Sequence, residues 1–190
     1  MAIVLASQSP RRQELLARIG VEDFKTLSLD IDESYPEGLS PEDTVRYIAK
    51  KKCDAAAALC APDDLIITAD TMVFLDNDRL GKPRDEEDAL RMLRAFSGRA
   101  HTVCTGVSVR RGAQEERFAV STRVFFRPMT DDEIRAYIKT GEPMDKAGAY
   151  GVQSRGALFV ERIDGDFFNV MGLPVEQLGL VLARFGVKLL

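Results

Sequence analysis

The feature that most narrows what this chain can become lies between residues 3 and 19. An apolar run, Ile3-Val4-Leu5, reads as a strand. It is followed closely by Ser9-Pro10 and then by Leu15, Leu16 and Ile19 at helical spacing. Ser9 is a good N-cap, and Pro10 suits the first helical position because the N–H it lacks would have no intrahelical partner there. A strand therefore runs straight into a helix, whose unsatisfied N–H groups form a place where an anion can bind. Arg11 and Arg12 occupy the first turn, where the helix macrodipole disfavours cations and where a capping box would put Glu or Gln in place of Arg12. Two cations there make sense with an anion between them and the helix end. The plainer alternative is a pair of surface arginines that confer solubility. Arg12 shares the face of Leu15, Leu16 and Ile19, so it is expected to point into the cleft above the sheet.

The 190 residues suit one domain with room for two lobes, long enough to bury a sizeable core. A net charge of −4 argues against broad nucleic-acid binding, so an anionic ligand would need a local cluster of cations. No apolar run reaches membrane-spanning length and no signal peptide is visible, so no membrane partner is expected of a chain whose composition is that of a soluble globular protein. Cys53, Cys60 and Cys104 form no metal-spaced pair, and their odd number suits reduced thiols. His101 is the only histidine, which nearly excludes histidine-rich zinc sites and histidine-dependent triads.

Strand and helix alternate along the rest of the chain. Residues 24–31 read as a second strand, ending in the acidic edge Asp30-Ile31-Asp32-Glu33-Ser34. Ser40-Pro41-Glu42-Asp43 opens a helix expected to run to about Ala61. Its apolar stripe is Val45, Ile48, Ala49, Cys53, Ala56 and Leu59. Lys52 falls on that stripe and Lys50 and Lys51 do not; a lysine there either snorkels or meets an anion. Residues 65–75 are nearly continuous apolar strand with Asp70 in the middle, where a bend at Asp70-Thr71 is expected. A carboxylate in that setting is costly unless it is paired, hydrogen-bonded or bound to metal. It reads either as a structural aspartate satisfying backbone N–H groups or, more strongly, as a general base or metal ligand. Leu80-Gly81-Lys82-Pro83 is a turn that brings in another lysine. Helices are expected over 85–96 and 130–139, and a last amphipathic one is marked by Val175, Leu178, Leu182 and Phe185. Strands are expected over 101–109 and 117–126, with Arg110-Arg111-Gly112-Ala113 in the connection and His101 as a strand-packing residue.

The densest stretch of unusual residues is Thr140-Gly141-Glu142-Pro143-Met144-Asp145-Lys146-Ala147-Gly148-Ala149-Tyr150-Gly151-Val152-Gln153. Its glycines, with Gly156 after them, imply backbone that turns tightly or approaches a ligand closely. It is not a phosphate loop of the GxxxxGK[ST] kind, which occurs nowhere in the chain. A simple helix-to-strand connection is the alternative.

Taken together, LASQSPRRQELL (5–16), ITADTMV (67–73), LGKP (80–83), FSGRAHTVCTGV (96–107), TGEPMDKAGAYGVQ (140–153) and GALFVERIDGDFFNVMGLP (156–174) resemble the Maf family, the septum-formation-inhibitor-like nucleoside triphosphate pyrophosphatases. The resemblance implies an α/β fold: an elongated mixed sheet flanked by helices, in two lobes with a central cleft, as one domain over 1–190. It further implies cytoplasmic hydrolysis of a nucleoside triphosphate to monophosphate and pyrophosphate, aided by a divalent cation. The family's phosphate-binding serine and arginines match Ser7, Arg11 and Arg12, and its helix lysine matches Lys52. Its catalytic aspartate matches Asp70 and its second lysine Lys82. The acidic residue after the second strand matches Glu33, with Asp32 the alternative. At the three positions where subgroups differ, Arg11, Thr71 and Gln153 resemble the dTTP/UTP-hydrolysing subgroup rather than the 7-methyl-GTP one. Thr68 and Ser154 stand where the family often has glycine.

On that resemblance Arg11, Arg12, Lys52 and Lys82 neutralise the triphosphate. Asp70 accepts a proton from water or, with Glu33, holds the metal. A hard cation, Mg²⁺ or Mn²⁺, suits carboxylates and phosphates in a chain with one histidine. The expected partner is a nucleoside triphosphate and not nucleic acid, with a homodimer kept open. A pyrophosphatase for modified purine nucleotides and a nucleotide-sensing regulator of cell division are the competing readings.

Overall fold

The computed structural model describes residues 1–76 and 78–190. The strands are β1 (Ile3–Leu5), β2 (Phe24–Thr26), β3 (Leu65–Leu75), β4 (Asp78–Leu80), β5 (Ala100–Arg111), β6 (Gln114–Phe126) and β7 (Val160–Asp164). The helices are α1 (Pro10–Arg18), α2 (Pro41–Ala57), α3 (Glu86–Phe96), α4 (Asp131–Ile138), α5 (Phe167–Met171) and α6 (Val175–Arg184). The strands form one mixed sheet in the order β2-β1-β3-β5-β6-β7, with β4 paired to β3. β3 is flanked by β1 and β5, which explains its nearly unbroken apolar run. It also runs through Asp70-Thr71 without the expected break. Two compact units divide there all the same: Met1–Asp70, Thr105–Val120 and Gly172–Leu190 form one, and Thr71–Cys104 and Ser121–Met171 the other.

In the first unit β1 pairs in parallel with β2 and with β3, placing Ile3 opposite Phe24 and Leu65. β2 is much shorter than the alternation over 24–31 suggested. After Leu27 N–H donates to the Leu5 carbonyl at 3.0 Å, Leu27 and Leu29 instead anchor a loop by packing on Ala6, Cys53, Ala56 and Ile66. The alternation is real, but it serves burial and not a ladder. α2 opens as expected, with the Ser40 hydroxyl accepting from Asp43 N–H at 3.1 Å. It ends at Ala57 and not near Ala61, because Pro62 bars helical geometry at the residue before it. Leu59 consequently leaves the stripe and lies 68% exposed. The β5–β6 connection is also tighter than expected: Arg110 and Arg111 belong to β5, and Gly112 (φ 57°) with Ala113 makes the turn.

The period of two along β3 sets Ile66, Thr68 and Asp70 on one face. Each meets α2: Ile66 through Cys53 and Ala56, Thr68 through a 2.7 Å bond from its hydroxyl to the Ala49 carbonyl, Asp70 through Lys52. β5 meets the same helix at Gly106, where an added Cβ would lie 2.3 Å from the Val45 carbonyl carbon.

In the second unit β4 and β7 pair antiparallel with β3 and β6. β7 has no counterpart in the expectations drawn from the sequence. α4 carries a full capping box between Thr130 and Glu133. His101 packs as expected, stacked on Phe96 with centroids 4.1 Å apart and with Nε2 2.8 Å from the Tyr150 hydroxyl. Phe126 and Tyr150 complete an edge-to-face cluster. Burial pushes the His101 imidazole down to about 3.

Gly106→Ala should destabilise the protein by about 3 kcal/mol or prevent folding, since only backbone could move aside. Gly179→Ala in α6, where the new carbon has ordinary contact with Leu189 at 3.8 Å, should be neutral or stabilising by about 0.5–1 kcal/mol in the same denaturation experiment. For His101, the unfolded chain takes up a proton below about pH 6.5 while the folded chain stays neutral to about pH 3, so its contribution is complete above 6.5 and is lost as pH falls through that window. Between pH 6.5 and 5 wild type should lose on the order of 2 kcal/mol more than His101→Phe in urea titrations.

Candidate active site

The first unit holds six of the residues singled out in the sequence: Ser7, Arg11, Arg12, Glu33, Lys52 and Asp70. Asp70 sits near the middle of β3, its side chain 8% exposed. Lys52 reaches it from the apolar stripe of α2, with Nζ 2.7 Å from Oδ1 and 2.8 Å from Glu33 Oε1. The lysine therefore meets anions and does not snorkel. Its side chain is 15% exposed and its ammonium joins two carboxylates. Of the two acidic candidates, Glu33 is the one at Lys52. Asp32 turns to Ser34, whose hydroxyl and N–H both donate to it, and to Lys51 at 3.1 Å. The Ser34 hydroxyl, then the Ser34 N–H and Lys51, hold the Asp32 carboxyl down near 2. Lys50 pairs with Asp54. The second oxygen of Asp70, Oδ2, is buried without a hydrogen-bond partner among the described residues.

The start of α1 lies beside this pair. Ser9 occupies the N-cap position, yet its side chain does not cap the helix. Its own N–H donates to Ser7 Oγ at 3.2 Å instead. Arg12 does point inward. Its Nε donates to the Gly172 carbonyl at 2.8 Å, and Nη1 to the Ala69 carbonyl at 2.8 Å and to Ser7 Oγ at 3.4 Å. Arg12 thus ties the helix start to the residue before Asp70, a structural duty that the sequence pattern did not disclose. Burial lowers its pKa, the charges of Asp70 and Glu33 oppose that, and Arg11 reinforces it.

The second unit holds Thr71, Lys82 and Gln153. Thr71 continues β3, and Lys82 is exposed in the turn after β4. The glycine-rich stretch folds as short 3-10 turns over Glu142–Asp145, Ala147–Ala149 and Arg155–Phe159. Gly148 (φ 72°) fixes it to both neighbours: its N–H donates to the Gly81 carbonyl at 3.0 Å, and a Cβ there would come within 3.1 Å of Val73. The segments carrying all three residues are therefore packed together. Glu142, which the sequence reading passed over, accepts bonds from Tyr137, Ser154, Arg155 and Gly156. The stretch carries two carboxylates, Glu142 and Asp145, and no local pattern marks which of them the later amides reach.

Chemically, the first-unit cluster offers an anchored carboxylate with one open oxygen, a second carboxylate that is 57% exposed, and two cations. Removing one member of a buried ion pair strands the other. Lys52→Met should cost about 3 kcal/mol of stability in denaturant titrations, and adding Asp70→Asn should recover part of it, giving a measurable coupling in the double-mutant cycle. Fully additive losses would mean that the pair contributes nothing as a pair.

The chain matches the model of the Maf family, described as Maf-like protein, over residues 2–185. A dTTP/UTP pyrophosphatase of Bacillus velezensis is 47% identical over 186 residues, covering 98% of this chain and 97% of that protein. One from Dictyoglomus turgidum is 47% identical over 191 residues, covering 99% and 98%. Among solved structures, the Ham1 protein of Staphylococcus aureus is similar with a TM-score of 0.55 at 14% identity over 97% of this chain and 100% of that one. A HAM1 protein from Coxiella burnetii gives 0.53 at 12%, over 97% and 99%. At such identities these two speak to the fold alone. A family match from residue 2 to residue 185, with relatives nearly half identical along their whole lengths, makes this chain a member of the Maf family.

Proposed function

We propose that this chain hydrolyses dTTP and UTP to the nucleoside monophosphate and pyrophosphate, in the cytoplasm. The observation that carries this reading is Asp70: a buried carboxylate, held through Oδ1 by Lys52, whose Oδ2 has no partner among the described residues. A buried polar atom left so costs free energy, and such a cost is retained where function employs the atom. The names of the 44–47% identical relatives, dTTP/UTP pyrophosphatases, support the substrate class.

In this reaction Asp70 Oδ2 takes the proton of the attacking water while Lys52 fixes the carboxylate's orientation. Arg11, Arg12 and Lys82 offset the charge of the phosphates and of the departing pyrophosphate, and Ser7 with the uncapped start of α1 offers further donors. Gln153 reads the base. Its carboxamide has one acceptor and one donor, which pair with the N3–H and a neighbouring carbonyl of uracil or thymine, whereas a carboxylate would oppose that carbonyl.

The residues fit a hard divalent cation. In the alternative assignment Asp70 Oδ2 is a ligand and not the base: with the outward carboxylate of Glu33 it would hold the ion, and among the described residues no group of three His, Cys, Asp or Glu forms a closed cage. Two carboxylates completed by water and phosphate oxygens suit Mg²⁺ or Mn²⁺. Such an ion supplies charge neutralisation and a more acidic water. Cys53, Cys60 and Cys104 form no disulfide among the described residues, which agrees with a reducing compartment, and among the described residues no helix is long and apolar enough to cross a membrane.

The test is pyrophosphate release from a panel of triphosphates with Mg²⁺. UTP and dTTP should be the best substrates. A preference for guanine nucleotides would overturn the substrate class, and no release from any triphosphate would favour a sensor. Asp70→Asn should lower kcat by about 10²–10⁴-fold while nucleotide still binds, because it keeps the shape and loses the base. Turnover within tenfold of wild type would exclude Asp70 from that role.

A further inference from the structure

Gln153 is exposed, and among the described residues its side chain makes no hydrogen bond within the protein. Its place is therefore set by the backbone that carries it. That backbone is held on both sides by one carboxylate. After Gln153, the Ser154 hydroxyl donates to Glu142 Oε1 at 2.6 Å, the Arg155 N–H to Oε2 at 3.2 Å, and the Gly156 N–H to Oε1 at 3.2 Å. Before it, the Gly151 N–H donates to the Tyr137 hydroxyl at 3.1 Å, and that hydroxyl donates to Glu142 Oε1 at 2.8 Å. Tyr137 is a buried residue of α4, so the arrangement is fixed to the core of its own unit. The two flanks are also pressed together, for a Cβ at Gly156 would lie 2.6 Å from the Gly151 carbonyl oxygen and 2.9 Å from the Tyr137 hydroxyl.

We propose that Glu142 is the positioning residue for Gln153, and that through it this carboxylate sets the preference for pyrimidine over purine triphosphates. The proposal rests on the reading of Gln153 as the residue that meets the base. Several donors converge on one side chain that has only acceptors to give, so no neutral isostere can replace it: the amide of a glutamine would turn an N–H toward one of the incoming N–H or O–H groups. Burial works to raise the Glu142 carboxyl, but the bonds from Ser154, Tyr137, Gly156 and Arg155 outweigh it and hold the group below the usual glutamate range, so it is ionised at neutral pH. The Ser154 hydroxyl is a contact that a glycine at this position could not make.

The experiment compares kcat/KM for UTP and GTP in wild type, Glu142→Gln, Tyr137→Phe, Gln153→Glu and the double variant Glu142→Gln/Gln153→Glu. Glu142→Gln should lower the UTP-to-GTP ratio by about tenfold, chiefly by raising KM for UTP, as a mispaired base contact does. Tyr137→Phe, which cuts only the relay to Gly151, should move the ratio the same way by about threefold. The double variant should have the ratio of Gln153→Glu alone, since both changes act through one contact. If Glu142→Gln lowers kcat/KM equally for both substrates while Gln153→Glu shifts the ratio, Glu142 merely maintains the loop and the proposal fails with the Gln153 reading intact. If Gln153→Glu leaves the ratio unchanged, that reading fails and takes the proposal with it. Should Glu142→Gln not fold, Tyr137→Phe and Ser154→Gly decide: an unchanged ratio in both overturns the proposal.

Discussion

The arrangement of the first unit depends on keeping one charge inside a sheet. Asp70 lies in a strand flanked on both sides by other strands, in a setting where an uncompensated carboxylate would be several kcal/mol unfavourable. The compensation comes from a lysine whose carbon stem can be buried with a helix stripe while its ammonium reaches the strand. That requires α2 to lie close against β3 and β5. Three small or bonded contacts make it possible: Gly106 under Val45, the Thr68 hydroxyl on the Ala49 carbonyl, and Ile66 against Cys53 and Ala56. Each would be unremarked by itself. In series they fix the height of α2 over the sheet and so the reach of Lys52 to Asp70.

The second unit solves a different problem, that of a loop with many glycine amides and no ladder. Gly148 takes a positive φ so that its N–H can reach the Gly81 carbonyl, and Ala149 follows it into the same region at φ 60°. A non-glycine residue there carries strain, which the surrounding contacts must hold. Glu142 supplies acceptors for the amides and hydroxyls further along. A loop built so has its conformation imposed by directional bonds as well as by the burial of Ala149, Tyr150 and Val152, which suits a segment whose exposed side chain is proposed to discriminate between bases.

Periodicity and end signals revealed most elements. The strand-to-helix passage at residues 3–18, the stripe of α2 and the run of β3 are local patterns that tertiary contacts reinforce. Lys52 was legible because a lysine on an apolar stripe must do something, and Asp70 because a charge in a buried strand must be answered. What was not legible depended on partners distant in sequence. The strand pattern over 24–31 could not reveal that only three residues find a neighbour. The first-turn arginines could not reveal that Arg12 spends donors on the Ala69 and Gly172 carbonyls, the latter 160 residues away. β7, a short edge strand with three exposed residues out of five, lacks the alternation that marks a half-buried strand. Glu142 looked like one more polar residue in a turn, since convergence of amides on a carboxylate is a property of the folded loop alone.

Charge balance constrains the proposed reaction further. Within the first-unit cluster Arg12 and Lys52 face Asp70 and Glu33, so two cations are already matched by two carboxylates before any nucleotide arrives. Matching keeps the packing tolerable, but it leaves these cations little net field to attract a polyanion. The remaining charge of a triphosphate has to be met elsewhere, by Arg11, by Lys82, which is exposed and without an ion pair among the described residues, and by a cation that arrives with the phosphates. The first-unit cluster is neutral by itself, so the proposed reaction relies on positions outside it for net positive charge. On the proposed function the attraction of the phosphates is confined to a few positions, and the carboxylates that would repel them are held by the lysine and arginine that pair with them.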